Sequence, residues 1–291
     1  MSLPEDFSPE RYLELHPDVL QARLDPAMHF LNYGRAEGRA YKGDARYVAQ
    51  NEYNPLHPKI AGHYQYDGLA SKHNHDFMID PAFMAAYGRG VVAAGADYKW
   101  FWRVHLGLWA ARSAAKYTGD FVECGVNRGF LSSAIMHDLD WNTTGRTFYL
   151  LDTFTGLDER YLSDDEKSAG VFDRNLREID SGFYTTNLDS VKQNFAEWPS
   201  AKIIQGSIPE TLSQIDSDRI AFLHIDMNCT LPEVAALDYL WDRLVPGAFV
   251  LLDDYAYFGY QPQKEGMDGW AAEHGISIAS LPTGQGLLIK P

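Results

Sequence analysis

Short apolar runs alternate with amphipathic segments from residue 120 to the end of the sequence. The runs predict seven strands, near residues 120–125, 146–152, 201–205, 219–226, 247–253, 275–280 and 285–289. The segments between them predict helices near 129–139, 187–197, 209–215, 232–243 and 262–273. Such alternation is typical of a parallel sheet covered by helices on both faces. Because the last two strands are close in sequence, we predict an α/β, Rossmann-like fold whose seven-stranded, mostly parallel sheet ends in an antiparallel hairpin.

A strong helix is predicted immediately before this region, from about Tyr98 to Tyr117. Its large and small apolar residues recur at three- and four-residue steps, which indicates a buried face. They are Trp100, Phe101, Val104, Leu108, Ala111 and Ala115.

The first forty residues carry the start signals of short helices. Ser8 precedes Pro9, as an N-cap precedes a proline in the first turn, and Asp25 precedes Pro26 in the same way. Residues 7–39 resemble a short bacterial motif, F-x-P-x-x-Y-L-x-x-x-P-D-V followed by D-P-x-x-H-[FY]-x-x-x-G-x-x-E-G-R. The motif occurs attached to varied enzymes and surface proteins, so the resemblance implies a helical accessory module and no particular chemistry.

Residues 41–80 are rich in Asn, His, Tyr, Pro and Gly without clear periodicity, which predicts an irregular linker. Its histidines match no metal-ligand spacing and are expected to be solvated: His57, His63, His73 and His75. We therefore divide the chain into a helical accessory module at 1–45, a linker and helical cap at 46–95, and the α/β domain at 96–291.

Acidic residues dominate the charge, since 40 Asp and Glu against 25 Lys and Arg give a formal net charge of −15. A surface of this sign repels phosphate backbones, so no nucleic-acid partner is expected. No apolar run approaches the ~18 residues of a membrane helix, and the first residues lack the features of a signal peptide. We therefore expect no membrane association and a cytoplasmic protein. The cysteines, Cys124 and Cys229, belong to no ligand array and are expected to be buried and reduced.

The first strand of the sheet leads into a glycine turn, Glu123-Cys124-Gly125, and then into a helix. Such a turn lets a ligand approach the backbone, although the dinucleotide fingerprint G-x-G-x-x-G is absent. An acid here would repel a pyrophosphate but suits a cation, such as the amino group of a methionine moiety. The alternative is a structural turn with a structural acid.

The second and third strands also deliver polar residues to their carboxyl ends. Asp152 follows Gly125 by 27 positions, the approximate interval of an acid that binds ribose hydroxyls, although it could be a solvated strand-end residue. Gly206 and Ser207 follow the third strand and leave room for an adenine edge.

The fourth and fifth predicted strands both consist mainly of apolar residues and terminate in carboxylates, Asp226 at the end of one and Asp253-Asp254 at the end of the other. In a doubly wound sheet these strands are neighbours about 4.8 Å apart, and their carboxyl ends face the ligand crevice. Converging carboxylates raise one another's pKa unless a cation is present, and oxygen ligands favour Mg²⁺. The alternative is that Asp253-Asp254 only starts a turn.

The sequence resembles the macrocin O-methyltransferase (TylF-type) family over about residues 80–291. The segments that carry the resemblance are Phe121–Val126, Leu151–Leu157, Leu223–Asp226, Leu244–Gly247 and Asp253–Tyr255. It implies a class I S-adenosylmethionine (SAM) methyltransferase that needs Mg²⁺ and usually methylates a sugar hydroxyl on a natural product.

Matching by motif implies that Glu123, Gly125 and Asp152 hold SAM, and that Asp226, Asp253 and Asp254 hold the metal. Further candidate SAM contacts, chosen by position, are Asn127, Ser132, Thr153, Phe154, Gly206 and Ser207. Asp226 is the first candidate for the catalytic base and His224 a poorer one. We expect a small-molecule or glycan substrate, and the sequence is compatible with a homodimer.

One departure from the family stands at Asn228, because the family usually reads D-x-D where this sequence has Asp226-Met227-Asn228. An amide can ligate a metal but cannot accept a proton as a carboxylate does. The acidic segment 156–186 is predicted to cover the substrate as a lid, the alternative being a solvated loop. Two other functions stay open: a non-catalytic SAM-fold module that binds a glycan, and an NAD-dependent oxidoreductase.

Overall fold

The computed structural model describes residues 3–4, 6–37, 39, 41 and 64–291. The chain forms two compact units, Met1–Met78 and Ile79–Pro291. Most of the predicted linker, with His57 and His63, lies outside the described residues. The helix over residues 81–94, assigned from sequence to the linker and cap, belongs to the second unit.

The N-terminal unit begins with three short helices, α1 (Pro9–Leu15), α2 (Pro17–Gln21) and α3 (Pro26–His29). The side chains of Ser8 and Asp25 accept hydrogen bonds from backbone N–H groups of the first turns of α1 and α3, which confirms both predicted helix starts. Buried Tyr12, Val19 and Phe30 form a small core. An antiparallel pair, β1 (Tyr64–Tyr66) and β2 (Leu69–Ser71), follows.

The second unit starts with two long helices, α4 (Pro81–Ala94) and α5 (Phe101–Ala114), and continues as alternating strands and helices. The strands are β3 (Asp120–Cys124), β4 (Phe148–Asp152), β5 (Ala201–Gln205), β6 (Ile220–Ile225), β7 (Leu244–Leu252), β8 (Ala279–Ser280) and β9 (Gly286–Ile289). The later helices are α6 (Phe130–Asp138), α7 (Asp164–Ser168), α8 (Val171–Asp180), α9 (Leu188–Asn194), α10 (Thr230–Trp241) and α11 (Gln261–Glu273).

The seven strands of this unit form one sheet in the order β5-β4-β3-β6-β7-β9-β8. The first five are parallel, whereas β9 pairs antiparallel with both β7 and β8. This topology confirms the predicted fold class. The order reverses between β3 and β6, and ligands of open α/β sheets bind in the crevice at such a point.

The strand register brings the predicted acids to one edge. Ile225 pairs with Leu252 at the ends of β6 and β7, so that Asp226 and Asp253 follow on adjacent strands. Cys124 pairs with Ile225 across β3 and β6, which puts the glycine turn beside them.

One predicted helix is wrong. Residues 209–215 form only a short 3₁₀ turn, Leu212–Gln214, although the apolar spacing resembles a helix. Two hydroxyls there donate to nearby carbonyls, Thr211 to Ser207 and Ser213 to Glu210, and such local bonds compete with a regular helix.

Both cysteines are buried and reduced, as expected. Among the described residues, no helix has the length and apolar character needed to cross a membrane.

Candidate active site

A cavity of about 360 Å³ lies over the carboxyl ends of the central strands, a volume typical of small-molecule sites. It brings together all but two of the residues predicted from sequence. Those that line it are Glu123, Gly125, Asn127, Asp152, Thr153, Gly206, Ser207, His224, Asp226, Asp253 and Asp254.

Ser132 and Phe154 lie outside this lining, contrary to expectation. Ser132 is fully buried on α6, and its hydroxyl has no hydrogen-bond partner among the described residues. The ring of Phe154 is 1% exposed, because it packs into the interior while its backbone N–H donates to Asp152. Their side chains therefore face the core and not the cavity.

The glycine turn after β3 is sterically required. Gly125 has φ of 90°, and a Cβ there would lie 1.7 Å from the carbonyl oxygen of Asp226. The backbone N–H of Asp226 donates to Cys124, so the ends of β3 and β6 are in direct contact. Only glycine fits this close approach.

Asp152 holds the same turn from the neighbouring strand. Its Oδ2 accepts from the backbone N–H groups of Val126 and Asn127, both at 2.8 Å, and its Oδ1 accepts from that of Phe154 at 2.7 Å. The carboxylate thus fixes the turn, a role that the sequence analysis missed. Binding of a ribose by Asp152 stays a prediction.

Asn127 joins the glycine turn to the segment after α8. Its Nδ2 donates to the carbonyl of Phe183, and its Oδ1 accepts from the N–H of Thr185, both at 3.0 Å. Its amide is therefore engaged by the protein itself.

A buried chain of charged groups runs behind the cavity from Glu123 to Arg103. His224 contacts Glu123 through Nδ1 at 2.9 Å, and its Nε2 lies 3.5 Å from Asp253. Burial alone would lower the pKa of His224, but Asp253 and Glu123 raise it to about 10, so the ring keeps its proton at neutral pH. The second oxygen of Glu123 has no hydrogen-bond partner among the described residues.

Asp253 is held by groups that the sequence analysis did not identify. The guanidinium of Arg103 donates to its Oδ2 at 2.5 Å, and the amide of Gln285 donates to its Oδ1 at 2.8 Å. Burial opposes ionisation of Asp253, but Arg103 and His224 lower its pKa below the usual range. The sequence signal for Arg103 was a cation among the apolar residues of the first turn of α5, since a buried cation needs a carboxylate.

Asp226 and Asp254 are electrostatically different from Asp253. Burial and the charge of Asp253 raise the pKa of Asp254 to about 7, and burial with both neighbouring carboxylates raises the pKa of Asp226 well above its ordinary value. Ligand atoms of His224, Asp226 and Asp253 lie within 4.8 Å of one another. Carboxylates that destabilise each other in this way are suited to a bound cation.

Asn228 accepts two hydrogen bonds at the cavity wall. The hydroxyl of Tyr260 donates to its Oδ1 at 2.8 Å, and that of Tyr184 donates to the same atom at 3.3 Å. Burial raises the pKa of both tyrosines, with Asp226 adding to the effect on Tyr184 and Asp254 on Tyr260, so both phenols stay protonated.

The acidic segment 156–186 forms one wall of the cavity and contains helices α7 and α8. Glu166 accepts from the N–H of Thr230 at 2.7 Å, and Asn175 accepts from that of Leu157 at 2.9 Å. The hydroxyl of Ser207 donates to Asp158 at 2.6 Å. The segment is thus fastened at several points, and its role as a lid stays a prediction.

Comparison with known proteins identifies the family. The profile described as Macrocin-O-methyltransferase (TylF) matches residues 110–279, more than half of the chain. The chain belongs to this family. The TylF span contains every site residue predicted from sequence, whereas Arg103 and Gln285 lie outside it.

Two relatives are named for methylation of specific compounds. A protein of Streptomyces olivaceus, "8-demethyl-8-(2,3-dimethoxy-alpha-L-rhamnosyl)-tetracenomycin-C 4'-O-methyltransferase", is 28% identical over 168 residues, which cover 55% of this chain and 60% of that protein. The "Mycinamicin III 3''-O-methyltransferase" of Micromonospora griseorubida is 26% identical over 167 residues, which cover 55% of this chain and 63% of that protein. The chain thus spans less than two thirds of the length of these TylF relatives.

A solved structure, that of the O-methyltransferase NovP, superposes with a TM-score of 0.59 at 18% sequence identity. The superposition covers 74% of this chain and 98% of NovP. At this identity the similarity supports the class I methyltransferase fold, in agreement with the strand order.

Proposed function

We propose that this protein transfers the methyl group of SAM to a hydroxyl of a sugar or of a glycosylated small molecule. One observation carries the proposal: one cavity is lined both by the glycine turn with Glu123 and by the carboxylates Asp226 and Asp254. Methyl transfer needs a binding site for the methyl donor and another for the hydroxylated acceptor. These two groups of residues would form the two sites.

The donor half of the cavity consists of Glu123, the turn from Gly125 to Arg128, Asp152, Thr153 and Gly206–Ser207. The second oxygen of Glu123, which has no hydrogen-bond partner among the described residues, suits the ammonium group of the methionine moiety, because a buried polar atom without a hydrogen bond is costly. Asp152 and Thr153 would lie beside the ribose, and Gly206 with Ser207 beside the adenine.

The acceptor half consists of Asp226, Asp254, Asn228, Tyr184 and Tyr260. Its position on the other side of the glycine turn, together with the sugar derivatives named for the two relatives, supports a sugar hydroxyl as the acceptor.

The donor set fits a divalent cation. Asp226, Asp253 and Asp254 would offer oxygen ligands, and the raised pKa values of Asp226 and Asp254 would fall when a cation binds. Asp253 completes the carboxylates but is also held by Arg103 and Gln285. When bound, Mg²⁺ would lower the pKa of a coordinated acceptor hydroxyl.

Asp226 is the base we assign to the acceptor proton. His224 is excluded from this role at neutral pH, because it already carries a proton between Glu123 and Asp253. The imidazolium instead holds both carboxylates in place. The glycine turn would orient the donor relative to the acceptor, and orientation of this kind supplies about 7–11 kcal/mol of a barrier in favourable cases.

The proposal is tested by incubating the full chain with methyl-labelled SAM, Mg²⁺ and methyl glycosides of L-rhamnose, D-glucose and D-galactose, separately. Label in a methyl ether of at least one glycoside is expected, together with binding of S-adenosylhomocysteine (SAH) in calorimetry. Binding of NAD but not of SAH would overturn the proposal in favour of an oxidoreductase. Binding of SAH and a glycoside without any transfer would favour a non-catalytic module.

The remaining sequence-based expectations also belong to this proposal. We propose a cytoplasmic location, a homodimer and no nucleic-acid partner, the last supported by the net charge of −15. Residues 1–45 stay a proposed accessory module.

A further inference from the structure

The acceptor half has a wall on which two phenol groups converge. Tyr184 and Tyr260 both line the cavity, and their hydroxyls donate to one atom, Oδ1 of Asn228. They reach it from two different elements, since Tyr184 follows α8 and Tyr260 immediately precedes α11.

Tyr184 is fixed on both sides by one amide. The residues before and after it, Phe183 and Thr185, are the two that bond to the side chain of Asn127 at 3.0 Å. Asn127 itself has φ of 49° in the glycine turn, a left-handed conformation that Asn tolerates better than most residues. The turn of the donor half therefore sets the position of a side chain in the acceptor half.

Tyr260 is held by a cation and a hydrogen bond. The guanidinium of Arg174, on α8, lies 4.7 Å from the centre of its ring. Because Arg174 and Tyr184 both belong to the segment 156–186, that segment contacts Tyr260 directly and again through Asn228.

The direction of these hydrogen bonds decides what the wall can bind. A phenol can donate one hydrogen bond and can also accept hydrogen bonds. Each tyrosine donates its one hydrogen bond to the amide oxygen of Asn228. Each phenolic oxygen is left to accept a hydrogen bond, and a substrate hydroxyl is a suitable donor. An acid in place of Asn228 would add a third negative charge beside Asp226 and Asp254, whereas the amide is neutral.

We infer that Tyr184 and Tyr260 recognise a second hydroxyl of the acceptor, adjacent to the one that is methylated, and that Asn228 is the positioning residue for both. This inference rests on the proposed function. It makes the protein selective for acceptors with neighbouring hydroxyls over their deoxy forms.

The test measures binding of methyl α-L-rhamnopyranoside and its monodeoxy analogues to the SAH-loaded full chain in the presence of Mg²⁺. For the wild-type protein we expect one deoxygenation adjacent to the methylated position to weaken binding about threefold to tenfold, as for loss of a hydrogen bond. In the double variant Tyr184→Phe, Tyr260→Phe, the same deoxygenation should have no effect. Asn228→Leu should abolish the discrimination in the same way, because it releases both hydroxyls.

Tyr239→Phe is the matched control, since that phenol is 41% exposed and accepts from Arg243 on the surface. An equal effect of deoxygenation on the wild type and on the double variant would overturn the inference, provided that SAH binding is unchanged. If the SAH-loaded wild type binds neither the rhamnoside nor any other glycoside, both the inference and the proposed acceptor class fail. If the variants still transfer the methyl group and still bind the deoxy analogues more weakly than the parent glycoside, the inference is contradicted while the proposed function stands.

Discussion

Asp152 in the donor half of the cavity and the aspartates of the acceptor half differ in how the protein compensates their charge. In the donor half, Asp152 accepts three backbone N–H groups, so its charge is compensated by the protein itself. In the acceptor half, burial raises the pKa values of Asp226 and Asp254. Asp253 and Asp254 add to the effect on Asp226, and Asp253 adds to the effect on Asp254. The protein thus compensates Asp152 by itself, whereas the proposed cation would compensate Asp226 and Asp254.

Asp253 stands between these two cases, because it follows the same strand as Asp254 but is compensated by Arg103, His224 and Gln285. We therefore treat it as the structural member of the carboxylate group.

The largest expected effect is on stability, from Arg103→Met. The variant leaves Asp253 charged and buried without its main partner, and breaking a buried pair costs about 3–5 kcal/mol. Urea unfolding of the full chain measures the change. Arg112→Met is the control, since Arg112 lies on the same helix as Arg103 but is 48% exposed in its pair with Asp138 on α6. Its loss should lower the unfolding free energy by less than the loss of Arg103, because solvent screens an exposed guanidinium. Equal losses in the two variants would contradict the assignment of Asp253 to a buried structural pair.

Asp254→Asn should reduce Mg²⁺-dependent methyl transfer by about a hundredfold or more, because it removes an oxygen ligand and its charge. SAH affinity should change by less than about twofold, since Asp254 lies in the acceptor half. Transfer rates and SAH calorimetry measure the two effects, with the exposed Asp218→Asn as the control. Full activity of the variant, or of the wild type in excess chelator, would refute the metal proposal.

Glu123→Gln should weaken SAM binding about tenfold, because the charge facing the ammonium is lost while the contact to His224 can persist. 5′-Methylthioadenosine lacks the amino acid portion, and its affinity should therefore be unchanged. Calorimetry with both ligands measures the difference. If both lose affinity equally, Glu123 supports the fold of the donor half and does not bind the ammonium.

Ser207→Ala should have the smallest effect, with SAM affinity altered by no more than about threefold. Its hydroxyl donates to Asp158, which keeps Arg160 as a partner in the variant. A loss of tenfold or more in calorimetry would mean that Ser207 contacts the cofactor directly and that the donor half is less self-sufficient than we propose.

Sequence patterns were sufficient for the sheet and its acids. Buried strands are continuous apolar runs, and Asp152, Asp226 and Asp253 each stand where such a run ends, so both the strands and the acids at their ends could be predicted. The helix predicted at 209–215 failed because hydroxyl groups near its start bond locally, which the apolar spacing does not reveal.

The partners of these acids could not be predicted in the same way. Arg103 is 150 residues from Asp253, and Gln285 is 32 residues from it, so no local spacing joins them. The contact of Asn127 with SAM stays a prediction, and the bond of its amide to a segment more than 50 residues away was not foreseen. Such contacts depend on tertiary packing, and only Arg103, a cation in the apolar first turn of α5, gave a sequence signal.

The position of Arg103 and Gln285 outside the TylF span has a practical consequence. A recombinant fragment cut to residues 110–279 would retain all three aspartates yet lose both side chains that hold Asp253. It would also lose β9, the antiparallel neighbour of β7. Domain boundaries for expression, chimeras or transplantation of this candidate site therefore need to reach from before α5 to beyond β9.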